Sequence, residues 1–184
     1  MLTPEFIRAA HFTVAHRERV DWLVVHTMEV PCVSGMALRV AQGFARGDRI
    51  VSAHYCVDPG NVVQCVQESD VAFHCPGANR RGIGIEHAGY SQGPSATAWA
   101  TDSHAAGMFP LAAQLAAEVC ARWQIPMIHL TVEQLAAGER GIIGHRDATE
   151  AFETVGGHSD PGSTWPWDSY LAAIVAASDP AATQ

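Results

Sequence analysis

Positive charge is scarce in this chain. Eleven Lys and Arg stand against nineteen Asp and Glu, a formal net charge of -8 with the histidines neutral. Nucleic-acid binding needs clustered basic side chains to displace phosphate counterions, so no nucleic-acid partner is expected. No apolar run approaches the roughly 20 residues of a membrane span, and no membrane insertion is expected either. The opening stretch Met1-Leu2-Thr3-Pro4-Glu5-Phe6-Ile7-Arg8 has no apolar signal core. The expectation is therefore a product made in the cytoplasm without a signal peptide, or a piece cut from a larger one. Cysteines number five, and no two show CxxC spacing. Most read as buried small hydrophobes, while Cys56 and Cys65 fall near one hairpin with their pairing undecided.

What is present suits a globular enzyme. The 184 residues are 48% apolar and 16% charged, enough for one domain with a substantial core and no need of staples. Strands and helices alternate. Trp22-Leu23-Val24-Val25-His26-Thr27 is a continuous apolar, β-branched run, which predicts a fully buried strand carrying His26 at its C-terminal end. Ser34 is placed to cap a helix over residues 35–45 with Met36, Val40 and Phe44 on one face. Residues 50–57 and 62–67 flank Asp58-Pro59-Gly60-Asn61, a hairpin turn in which proline sets φ and glycine accepts positive φ.

Ile83-Gly84-Ile85-Glu86-His87 predicts the next strand, with Glu86 near its end. An Ala-rich segment over residues 96–123 reads as helical, broken or kinked near Pro110. A short helix near residues 132–137 precedes a strand over residues 141–144 that ends at His145. Thr164 is placed to cap a final helix reaching about Ala177. There is no internal repeat.

Three strand ends thus bring polar residues to one side of a sheet. His26 and His145 each follow an apolar strand, and Asp160 sits in an Asp-Pro-Gly turn. Two histidines and a carboxylate form the donor set of an open zinc site, which keeps a position for water and suits hydrolysis. Each histidine alone could equally be a satisfied core or surface residue, and no local motif such as HExxH is present. Glu86 either pairs with a neighbour such as Arg80 or Arg81, or faces the cleft as general base and acid. His158, two residues before Asp160, is an oxyanion stabiliser, a fourth ligand or a solvent-exposed loop histidine.

The ordered set Val24-Val25-His26-Thr27, Ser52-Ala53-His54-Tyr55, Ala72-Phe73-His74, Gly82-Ile83-Gly84-Ile85-Glu86, Gly144-His145-Arg146-Asp147 and Asp160-Pro161-Gly162 resembles the zinc-dependent N-acetylmuramoyl-L-alanine amidases of the type 2 family. That family shares its fold with peptidoglycan recognition proteins. The resemblance runs from about Val20 to Ala177. It implies an α/β fold with a central mixed sheet flanked by helices. It also implies cleavage of the amide between muramic acid and the first L-alanine of the stem peptide in bacterial peptidoglycan. Carried over, His26, His145 and Asp160 fall on the Zn2+ ligands, Glu86 on the catalytic carboxylate and His158 on the oxyanion-stabilising position. Many relatives have lysine at this last position. His74, Asn79 and Arg80 lie in the loop where relatives contact substrate, although a plain loop role is open for each. The segment over residues 147–157 is longer than in compact relatives, and its residues 149–154 could cover part of the cleft.

The domain expectation is a catalytic unit over residues 1–178 and a tail or linker start over residues 179–184. Two other classes stand beside the amidase: a non-catalytic peptidoglycan-binding module, and a cysteine hydrolase using Cys75 beside His74 or Cys56 beside His54. Residues adjacent on a strand point to opposite faces, which counts against both cysteine pairs. The expected setting is the catalytic domain of a bacteriophage endolysin, released to the cell wall through a holin. It would act as a monomer, with a wall-binding domain on a longer chain. A cytoplasmic muropeptide-recycling amidase is the alternative.

Overall fold

The computed structural model describes residues 1–92, 99 and 103–179. Among these residues eight strands run in chain order: β1 (Glu5–Phe6), β2 (Phe12–Thr13), β3 (Trp22–Thr27), β4 (Tyr55–Val57), β5 (Val62–Gln64), β6 (Val71–Ala72), β7 (Gly82–His87) and β8 (Gly141–Gly144). The helices are α1 (Met36–Arg46), α2 (Ser103–Trp123), α3 (Val132–Ala136), α4 (His145–Ala151) and α5 (Trp167–Ser178). Six strands form the central sheet in the order β1-β5-β4-β7-β3-β8, and β2 pairs with β6 in a separate two-stranded sheet. The β3 strand lies parallel to both β7 and β8, β4 is parallel to β7, and β4 is antiparallel to β5. This is the expected mixed sheet with helices packed on it.

Side-chain parity along β3 and β7 divides the interior. Leu23 and Val25 of β3, with Ile83 and Ile85 of β7, join the core under α2 and α5, and all four are fully buried. Each such side chain contributes roughly 1.5–3 kcal/mol. Trp22 and Val24 project to the opposite face, where they pack with Leu135, Ile143 and Ala148. By the same two-residue period, His26 and Glu86 belong to that second face. A third cluster packs α1, through Ala37 and Ala41, against Cys56, Val63 and Cys65.

Several local expectations give way to tertiary contacts. Ser34 does not cap α1. Gly35 occupies the cap position at φ 93°, and the amide of Ala37 donates to Asp58 Oδ2 at 2.8 Å. Asp58 also accepts from the amides of Gly60 and Asn61, so one carboxylate closes the β4–β5 turn and caps a helix 21 residues away. The strand expected over residues 50–57 pairs only at Tyr55–Val57, because Ser52 bonds to Phe73 instead. Helix α2 passes through Pro110 without ending there. The beginning of the helix expected over residues 96–123 lies outside the described residues except for Trp99. Thr164 does not cap α5, which starts after Pro166, and Thr164 Oγ1 is buried without a partner among the described residues. Residues 180–184 of the expected tail lie outside the described residues. Cys56, Cys65, Cys75 and Cys120 are free thiols, with the Cys56 and Cys65 sulfurs 4.0 Å apart.

Candidate active site

A cavity of about 580 Å³ opens at the C-terminal ends of β3 and β7. His26, His74, Glu86, His145, His158 and Asp160 all line it. Parallel pairing sets His26 directly beside Glu86, one strand spacing apart, about 4.8 Å. His145 is the first residue of α4, where β8 ends against β3. Asp147 fixes that junction: its carboxylate accepts from the amide of Gly144 at 2.7 Å and lies 2.9 Å from Nε2 of His129. An acidic residue three positions into a helix start is a readable capping signal, although the motif Gly144-His145-Arg146-Asp147 by itself gives Asp147 no role.

Asp160 arrives from a distant turn. The amide of Arg146 donates to its carbonyl, which ties the turn to the start of α4. Gly162, at φ 93°, lies so close to Ser91 that a Cβ would come within 2.0 Å of the Ser91 carbonyl oxygen. The turn can therefore seat against the 91 loop only with glycine there.

The two imidazoles converge on this carboxylate. Nδ1 of His26 is 2.9 Å from Asp160 Oδ2, and Nδ1 of His145 is 3.2 Å from Oδ1. One ligand atom from each of the three residues can be chosen so that all lie within 4.8 Å of one another. Burial alone would raise the Asp160 carboxyl, but the hydrogen bonds from His145 and His26 outweigh it and hold the group far below the carboxylate range. Burial likewise lowers His26, against the pull of Asp160. An ionised carboxylate and two buried imidazoles that can offer nitrogen lone pairs fit a divalent metal ion.

Glu86 has no hydrogen-bond or ion-pair partner among the described residues. Arg81 pairs with the buried Asp21 and Arg80 is exposed, so the salt bridge open to Glu86 from sequence is not made. Burial first, then the negative charge of Asp160, raises its carboxyl well above the ordinary value. His158 stacks on His145, with ring centroids 4.1 Å apart and planes at 14°. Its side chain is 53% exposed and its Nδ1 lies 3.8 Å from Asp160 Oδ1. Burial, then the charge of His145, lowers its pKa.

The three loop residues separate. His74 borders the cavity and touches His26, with Nδ1 2.9 Å from Nε2. Asn79 does not reach the cavity: its Oδ1 accepts from the amides of His74 and Cys75. Asn79 and Arg80 instead line a neighbouring depression with Thr13 and Val14, and Phe73 borders both hollows. Residues 149–154 do not cover the cleft. The segment begins in α4, and Phe152 packs against Trp22, leaving Gly156 and Gly157 to line the cavity. The opposite wall comes from Val40, Phe44, Arg49 and Val51, which no motif marks. Cys75 and Cys56 are buried with thiols pushed up by desolvation, the reverse of an activated nucleophile.

A buried His-His-Asp donor set beside an unpaired carboxylate, at the strand ends of a mixed α/β sheet, defines a hydrolase-type centre. The chain belongs to the N-acetylmuramoyl-L-alanine amidase family of type 2, whose sequence pattern matches residues 16–163. It is similar to N-acetylmuramoyl-L-alanine amidase A of Achromobacter lyticus, at 27% identity over 165 residues, covering 83% of this chain and 81% of that one. Its fold matches the hydrolase AmiA of Staphylococcus aureus with a TM-score of 0.73 at 15% identity, over 96% of this chain and 83% of that one. A mutant endolysin from Bacillus subtilis matches with a TM-score of 0.64 at 19% identity, over 95% of this chain and 99% of that one. The protein is an amidase acting on peptidoglycan.

Proposed function

We propose that this amidase is zinc dependent and cleaves the bond between the lactyl group of N-acetylmuramic acid and L-alanine in polymeric peptidoglycan. The observation that carries this reading is the convergence of His26, His145 and Asp160 beside Glu86 in one cavity. Nδ1 of each histidine and a carboxylate oxygen of Asp160 would hold the ion, which when bound supplies a Lewis acid for the scissile carbonyl and acidifies the attacking water.

The chain's own residues supply the proton transfers. Glu86, raised by burial and unpaired, accepts the proton of the attacking water. The same carboxyl then returns a proton to the departing alanine nitrogen, so that it leaves as an amine. His158, stacked on His145 and half open to the cavity, donates a hydrogen bond to the oxygen that gains charge during attack. The apolar side chains of Val40, Phe44, Val51 and Phe73 form a wall against which substrate can lie.

The setting we propose is phage-induced lysis. The protein would be made in the host and released to the wall through a holin. It would act as a monomer, joined to a wall-binding domain in a longer chain. The fold likeness to a Bacillus subtilis endolysin supports this reading. The test is mass spectrometry of products from intact sacculi and from soluble muropeptides, with and without chelator. The lytic reading expects new N-terminal alanine on stem peptides released from polymeric glycan, stopped by chelator and restored by zinc. Cleavage confined to soluble fragments overturns it in favour of recycling, and chelator-resistant cleavage overturns the zinc.

A further inference from the structure

His26 has partners at both ring nitrogens. Nδ1 faces Asp160 and Nε2 faces Nδ1 of His74, each at 2.9 Å, and the rings of His26 and His74 meet edge to face at 5.1 Å. A neutral imidazole carries one proton. If Nδ1 offers its lone pair to a cation, that proton sits on Nε2, and in a side chain only 2% exposed it needs a protein acceptor. His74 Nδ1 is the acceptor in place.

We propose that His74 is a positioning residue for the metal centre: it accepts the Nε2–H of His26 and so holds that ring with its Nδ1 lone pair toward His145 and Asp160. This role rests on the ligand set proposed above. His74 then keeps its own proton on Nε2, which is buried and has no partner among the described residues. Such a second hydrogen bond fixes tautomer and ring orientation before any ion arrives.

The surroundings of His74 are built for the task. Asn79 Oδ1 takes the amides of both His74 and Cys75, at 2.9 and 2.7 Å, and so sets the backbone that carries the ring. The ring lies flush on β7: a Cβ at Gly84 would come within 2.7 Å of His74 Cγ and Nδ1. The ring of His54 closes the far side at 5.6 Å, also edge-on. Glycine at position 84 and asparagine at position 79 are thereby explained together, as the space for this ring and the clamp on its loop.

The test measures zinc affinity of the folded protein by competition with a chromophoric chelator. His74→Leu fills the space without an acceptor and is expected to weaken zinc binding about 10- to 100-fold. His74→Asn, which returns an acceptor oxygen, is expected to recover most of that loss. Histidine ¹⁵N spectra of the zinc-loaded wild type give a readout that does not depend on a variant folding. They should show His74 protonated at Nε2 only, and a His26 Nε2–H protected from exchange. A His74 proton on Nδ1, or equal zinc affinity in His74→Leu and wild type, overturns the role while leaving the ligand set intact. A wild type that takes up no zinc overturns the ligand set and this role with it.

Discussion

The two faces of β3 and β7 use the same backbone for opposite ends. Toward α2 and α5 the strands present Leu23, Val25, Ile83 and Ile85, all fully buried in apolar packing. Toward the cavity they present His26 and Glu86, with glycine at positions 82 and 84 making room. Even a histidine takes its role from the side it faces. His87, one residue beyond Glu86, points to the helix side, where Nδ1 meets the His26 carbonyl and Nε2 the Tyr170 hydroxyl. The helix face supplies rigidity, and the cavity face spends it on holding polar groups that would otherwise separate or rotate.

Substitutions on the two faces should therefore separate activity from stability. The largest expected effect is that of Asp160→Ala, which removes the carboxylate both histidines address. Zinc content should fall to background and amidase activity with it, as read by metal analysis of the purified protein. Glu86→Gln comes next, with kcat expected to drop about 10²- to 10⁴-fold while zinc is retained. Near-normal hydrolysis by that variant would remove Glu86 from the proton-transfer role. On the other face, Ile85→Ala should cost about 2–5 kcal/mol of stability in urea unfolding and leave kcat per folded molecule close to wild type. A large kcat loss there would erase the distinction between the faces.

The smallest expected effect is a pH dependence of stability from the helix-side histidine. Burial lowers His87 to about 4. The folded protein holds it neutral while the unfolded chain titrates near 6.5, so its contribution is complete above that pH. It is lost as pH falls from about 6.5 toward 4, at about 1.4 kcal/mol per unit. Near pH 5 the loss from this residue is about 2 kcal/mol. His54, lowered to about 3 mainly by burial and then by Arg17, acts in the same direction. His87→Gln should flatten the decline between pH 7 and 5, and an unchanged slope would show that His87 is not held neutral.

Residues whose placement depends on strand parity and strand ends were legible in the chain. The apolar runs before His26, Glu86 and His145 foretold where each side chain would emerge, and the Asp-Pro-Gly turn marked Asp160. Roles set by one particular hydrogen-bond or packing partner were not. Ser34 is a good capping residue by type, but Asp58, folded back from a hairpin turn, takes the amide at the start of α1. Asn79 looks like a polar loop residue free to meet substrate, yet its acceptor oxygen is consumed by two amides of its own loop. The 149–154 segment reads as a cover for the cleft, but Phe152 finds Trp22 instead.

By itself the sequence determined the mixed sheet, the family and the residues offered to the cavity, because the alternation of side chains along a strand is local. Only the tertiary structure decided which nitrogen of His26 faces Asp160 and which faces His74. It also decided that Glu86 stays unpaired and that Asn79 serves its loop. The His26 outcome depends on partners brought to about 3 Å from distant parts of the chain, Asp160 and His74.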